Sequence, residues 1–178
     1  GNSRLRRRLE REKGAIQLLS CKLAPFYPHD ILLNVFRLGH HCFGLETCAA
    51  EIRAFCEEKN LTYHPVKQGY AKCSTVLVNE QACITADTSI AAAVKQCGLD
   101  VLQIRPGFVE LPGYPYGFLG GASGKLSPDV LAFAGNLDTH PDAEAIRGFL
   151  LNHHVSALSL QEGPLLDLGG ILPLREEA

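Results

Sequence analysis

The sequence predicts an α/β repeat protein built of ββαβ units, and three recurring observations predict it. A short apolar run, a tight turn and a return strand come first. A capped helix with an apolar face follows, and a further short strand ends the unit. The order occurs at residues 30–66, 73–104 and 123–160. A period of roughly 40 to 50 residues marks a repeat architecture, in which each unit buries its faces against its neighbours. Apolar residues make up 46% of the 178 and charged residues 20%, which is the composition of one globular domain.

The elements follow in order. Residues 1–22 read as a helix (Ser3 to Lys13) and a strand (Ala15 to Cys21), the remnant of a preceding unit. With glycine first and no methionine, the chain reads as incomplete at its N-terminus. The basic run RLRRRLEREK alternates with Leu and Glu at helical spacing, as a solvated helix face does. In the first unit, ILLNVFRLG and HCFGL are strands and Thr47 is an N-cap candidate. The helix CAAEIRAFCEEK places Ala49, Ile52, Phe55 and Cys56 on one stripe. Asn60 ends it, and LTYHPV is the third strand.

The second unit is the clearest. CSTVLV, the turn NEQ and ACITA form a hairpin; Asp87 caps TSIAAAVKQC, Gly98 ends it, and DVLQI follows. The third unit opens with the Gly-rich YGFLGGASGKL, turns at SPD into VLAFAGNL, and continues as a helix over THPDAEAIRGFLLNHH and a strand VSALSL. Pro141 is expected in the first turn of that helix, where a missing amide costs nothing. Between units two and three, residues 105–117 are dense in Pro and Gly and read as a loop with one extended piece, FVEL. Residues 164–174 read as closing strands.

Several function classes are excluded. A net charge of -2 gives no electrostatic reason to expect nucleic acid. The seven cysteines, Cys21, Cys42, Cys48, Cys56, Cys73, Cys83 and Cys97, are irregularly spaced without a CxxC. Neither a disulfide framework nor a zinc motif is expected; free thiols in a reducing cytoplasm fit. No apolar run approaches the roughly 20 residues of a membrane span. GFLGGASGK is not a phosphate loop, because Leu119 and Leu126 stand where Gly and Ser or Thr are needed, and no dinucleotide fingerprint occurs. His40, His41, His153 and His154 form two sequence pairs whose side chains point to opposite faces of a strand. No metal and no cofactor are expected.

Units arranged around a shared axis would bring their entrances together. Asp30, Cys73 and Ser123 each precede a first strand and follow a Tyr-containing turn, at Tyr27, Tyr70 and Tyr116. A carboxylate, a thiol and a hydroxyl at matching positions make a candidate site, against the bland reading that turns favour small polar residues.

Four stretches, VKQGYAKCSTVLV, ITADTSIAAAV, GFLGGASGKL and PLLDLGGIL, resemble an uncharacterised bacterial family, a domain of unknown function assigned to the pentein fold of guanidino-group-modifying enzymes. The resemblance covers essentially the whole chain. It implies a pentein-like, five-bladed α/β propeller, of which this chain spans about three and a half blades, with roughly 60 to 80 further N-terminal residues in full-length relatives. The better-known pentein enzymes carry a nucleophilic Cys close to the C-terminus. Here the last cysteine is Cys97, which speaks against the familiar chemistry.

Two functions are carried forward. The first is binding of a small polar ligand (guanidino, amidino or amide) at the centre. The second is a Cys-dependent hydrolase or transferase, with Cys73 as nucleophile beside Lys67 and Lys72, His140 as general acid/base and Asp87 at the equivalent junction. The expected ligand-binding residues are Asp30, Asn34, Lys67, Ser74, Gly120, Gly121, Ser123 and Asp167. Carboxylates suit a guanidinium because they accept paired hydrogen bonds. Gly120 and Gly121 would let a ligand approach the backbone. The competing readings are a buried structural thiol for Cys73, a helix-start residue for His140, an N-cap for Asp87 and a turn residue for Asp167.

Overall fold

Side-chain alternation with a period of two, punctuated by turns and capped helices, resolves into small sheets. The computed structural model describes residues 3–11, 20 and 23–173. In chain order these form α1 (Ser3–Arg11), β1 (Phe36–Leu38), β2 (His41–Gly44), α2 (Ala50–Glu58), β3 (Thr62–Pro65), β4 (Thr75–Leu77), β5 (Ala82–Thr85), α3 (Thr88–Gln96), β6 (Asp100–Gln103), β7 (Ser123–Ser127), β8 (Val130–Phe133), a 3-10 turn (Leu137–Thr139), α4 (Ala143–Asn152) and β9 (Ser156–Ser159). The strands make three three-stranded sheets, β1-β2-β3, β4-β5-β6 and β7-β8-β9. In each, the first pair is antiparallel and the second, reached through the helix, is parallel. The predicted ββαβ unit is present three times. The predicted strand from Ala15 to Cys21 lies, apart from Ser20, outside the described residues.

The helices of the three units, α2, α3 and α4, end in the same way. Asn60, Gly98 and His154 have φ of 52°, 73° and 57°, the left-handed conformation of a helix-ending turn. The next amide reaches back to a helix carbonyl: Leu61 to Cys56, Leu99 to Val94 and Val155 to Leu150. The turn satisfies carbonyls that the helix leaves open and aims the chain into the parallel strand.

Packing follows from alternation along the strands. On one face of the middle sheet, Cys83 joins Ile90 and Val94 of α3 with Phe36, Leu38 and Phe43 of the first sheet. On the other, Val76, Ala82 and Ile84 join Leu131, Phe133, Ile146 and Leu150 of the third unit. The core therefore lies in the seams between units. A smaller cluster of Cys42, Cys56 and Leu61 covers the other face of the first sheet.

Several expectations need correction. The strand predicted over residues 31–39 shrinks to Phe36–Leu38, because Ile31 and Asn34 sit in turns, with the Asn34 amide donating to the Ile31 carbonyl at 2.8 Å. A short apolar run does not separate a strand from a buried turn. Thr47 does not cap α2; Ala49 occupies that position without a side-chain bond. The third helix starts at Ala143, beyond Pro141, after a 3-10 turn capped by Asn136. Residues 164–173 form no regular strand: Leu166 bridges Glu110, and the Ile171 amide donates to the Ser123 carbonyl. The arginines of α1 at positions 4, 6, 7, 8 and 11 are exposed, with Arg6 paired to Glu10 at 2.8 Å, as expected of a solvated face. Among the described residues, no helix is long and apolar enough to cross a membrane.

Candidate functional site

Entrances of the units carry polar side chains that the strands cannot use, and these join distant stretches of chain. Asn34, at the end of the turn before β1, accepts from the amides of Lys72 (2.7 Å) and Cys73 (3.3 Å). Its own side-chain amide donates to the Cys73 sulfur at 3.3 Å. Lys72 Nζ donates to the carbonyls of Gly120 (3.4 Å) and Gly169 (3.5 Å). The buried Asp167 carboxylate accepts from the amides of Phe118 (2.9 Å) and Gly169 (2.8 Å). Gly120 is required here, since a methyl group would lie 2.6 Å from the Cys73 carbonyl oxygen. Residues 34, 72–73, 118–121 and 167–169 thus meet in one place.

The expected equivalence of Asp30, Cys73 and Ser123 is off in register. The pairs Phe36–Phe43, Val76–Ile84 and Gly124–Ala132 superpose along the repeat, so Ser123 matches Thr75 and Val35, whereas Cys73 matches Gly121 and Leu33. Asp30 lies further upstream and accepts from the Tyr70 hydroxyl at 2.6 Å. That bond, with some burial, pushes the Tyr70 pKa up to about 12.

Beside this junction, between units two and three, lies a cleft of about 220 Å³ whose lining includes Ser74, Asp87, Arg105, Phe108, Phe118 and His140. Ser74 is 5% exposed and its hydroxyl has no hydrogen-bond partner among the described residues. Asp87 caps α3, accepting from the amides of Ser89 and Ile90 at 2.9 Å and from the Gln68 side chain at 3.2 Å. Burial alone would raise its pKa, but these bonds and that of the Ser89 hydroxyl outweigh it and hold the carboxyl below its usual value. His140 is buried, with Nδ1 accepting from the Asp142 amide at 3.0 Å and its ring edge-on to Phe108 at 5.5 Å. Burial lowers its pKa against the pull of Asp142 and a bond with the Arg105 backbone, so the ring is neutral near pH 7. Arg105 is paired with Asp142 at 2.6 Å.

The profile of one protein family, described as "Family of unknown function (DUF6873)", matches residues 2–172. The chain belongs to DUF6873. No curated protein and no solved structure matches it. For this DUF6873 protein, function is read from its own geometry.

Of the residues expected to form a site, Asn34, Cys73, Gly120, Gly121 and Asp167 meet at this one junction, while Ser74, Asp87 and His140 line the cleft. No hydrogen bond joins Cys73 to His140 among the described residues: the thiol accepts from Asn34, and the His140 ring accepts from the Asp142 amide. Lys72 is turned towards two carbonyls rather than the thiol. Lys67 is exposed, and its backbone amide donates to the Ser89 hydroxyl. Ser123 is buried and contributes its carbonyl to Ile171. Sequence reasoning missed Gln68, Arg105, Phe108 and Phe118 in the cleft of this DUF6873 domain. The available signal was the long Pro- and Gly-rich loop after β6, since loops of that length commonly carry function.

Proposed function

We propose that the three units are blades of a pentein-type α/β propeller and that the cleft beside its centre binds a small polar ligand of the amide, amidino or guanidino type. The links from Asn34 to Cys73 and from Lys72 to Gly120, which join successive unit entrances, support the first part. The observation that carries the second is the Ser74 hydroxyl, buried in the cleft wall without a partner. Buried polar groups are nearly always satisfied, and an unsatisfied one calls for a partner that the protein itself does not supply. Phe108 and Phe118 add aromatic surface to the lining. Asp30, Asp87 and Asp167 already hold protein donors, so an amide fits the cleft better than a guanidinium.

Ser74→Ala tests this reading with two opposed effects. Without ligand the variant is expected to be as stable as the parent or more so, because an unpartnered buried hydroxyl costs about 1–3 kcal/mol. With ligand it is expected to lose the rise in melting temperature that small amides, amidines or guanidines give the parent. If no compound of these classes shifts the parent, or if the variant keeps the shift, the reading fails.

A second reading, a Cys-dependent hydrolase or transferase with Cys73 as nucleophile, is favoured by the Asn34 amide aimed at the sulfur of a half-buried thiol. Covalent attack needs a base within reach, and the His140 ring is engaged elsewhere. The binding reading therefore ranks first. Alkylation near neutral pH separates them: a nucleophile predicts that Cys73 labels at least about tenfold faster than the half-buried Cys48, and equal rates remove it.

A further inference from the structure

Three side chains converge at the seam between units one and two, at the end of the strands away from the centre. His41 opens β2, His64 lies in β3, and Cys97 is the C-cap of α3. Strand alternation places His41 on the same face as Phe43, and register places His64 beside Phe43 on that face. The face meets α3, which delivers Cys97. His41 Nδ1 is 2.8 Å from His64 Nε2, and the Cys97 sulfur is 3.5 Å from the same nitrogen. All three candidate ligand atoms lie within 4.8 Å of one another, on half-buried residues that solvent can reach. The Phe43 ring, stacked on His64 at 5.0 Å and 22°, holds the imidazole plane.

We propose that His41, His64 and Cys97 bind a zinc(II) ion, with water at the fourth position. Two imidazoles and a thiolate are the donor set of an open tetrahedral zinc site, with bonds of about 2.0–2.1 Å to nitrogen and about 2.3 Å to sulfur. That geometry sets ligand atoms roughly 3.5 Å apart. The sulfur–nitrogen distance already matches, and the two nitrogens need to part by a fraction of an ångström. The Cys97 thiol must shed its proton to solvent when metal binds, so affinity rises with pH. Imidazole and thiolate select against magnesium and calcium. No motif spacing announces the site, because its members are 23 and 33 residues apart.

Cobalt(II) titration of the full chain, kept reduced and metal-free, tests the proposal. The expected result is the thiolate-to-cobalt charge-transfer band of a four-coordinate complex, displaced by zinc(II). Cys97→Ser should abolish that band, His64→Gln should weaken binding by about 100-fold or more, and Cys73→Ser should leave both unchanged. A parent that gives no such band, or a Cys97→Ser variant that keeps it, overturns the site. Should a variant misfold, the parent alone decides: zinc should protect Cys97 from alkylation at least about tenfold while Cys48 is unprotected, and equal labelling of Cys97 with and without zinc refutes binding there.

Discussion

Replacing Phe43 with alanine is expected to destabilise the protein by about 4 kcal/mol. The side chain is fully buried, stacks on Phe36 at 5.0 Å and on His64 at 5.0 Å, and shares a cluster with Ile90 and Val94 of the next unit. The cavity cannot close easily, because β2 is bonded to a strand on either side. The loss falls on an interface between units, so it should appear as uncoupling as well as destabilisation. Repeat arrays hold together through such nearest-neighbour terms. Urea denaturation should show an earlier transition, and hydrogen exchange should show β1–β3 opening before β4–β9. A loss below about 1 kcal/mol would mean that this seam contributes little and that the packing described is wrong.

Asp167→Ala is expected to cost about 3 kcal/mol or more. The carboxylate accepts from two backbone amides, and hydrogen bonds to charged groups are worth about 1.5–3 kcal/mol each. Alanine would leave the Phe118 and Gly169 amides without that partner. The effect should spread along two paths. Phe118 lines the cleft, so ligand binding should weaken although Asp167 is not among the cleft's lining residues. Gly169 accepts from Lys72, so the tie between the second unit and the closing segment should loosen. Asp167→Asn keeps one acceptor oxygen and should lose roughly half as much. Chemical denaturation measures the first effect, and the thermal shift given by the amide compounds measures the second. A variant as stable as the parent would show that this junction is held by something else.

The repeat was legible because its signals are local. Hairpin turns, apolar alternation and the Asp87 cap each depend on residues a few positions apart, and Asp87 bonds to Ser89 and Ile90 as its position predicts. Thr47 misled for a related reason. A hydroxyl before a helix can cap it, but α2 begins at Ala50 after Ala49, two residues too late for Thr47 to be the cap. The first strand was overestimated because Ile31–Val35 is apolar like a strand yet turns, freeing the Asn34 side chain to hold the loop of the next unit.

Short-range preferences thus determined the order of strands and helices, the left-handed helix ends and the existence of seams. Which polar side chains meet was decided only when the units packed. Asn34 reaches Cys73 across 39 residues, Lys72 reaches Gly120 across 48, and His64 reaches Cys97 across 33. Each contact depends on strand register and on the placement of one sheet against the next helix, and a slip of a single residue would turn every side chain to the opposite face. Dense packing at the seams removes that freedom, and spacing along the chain carries no record of it.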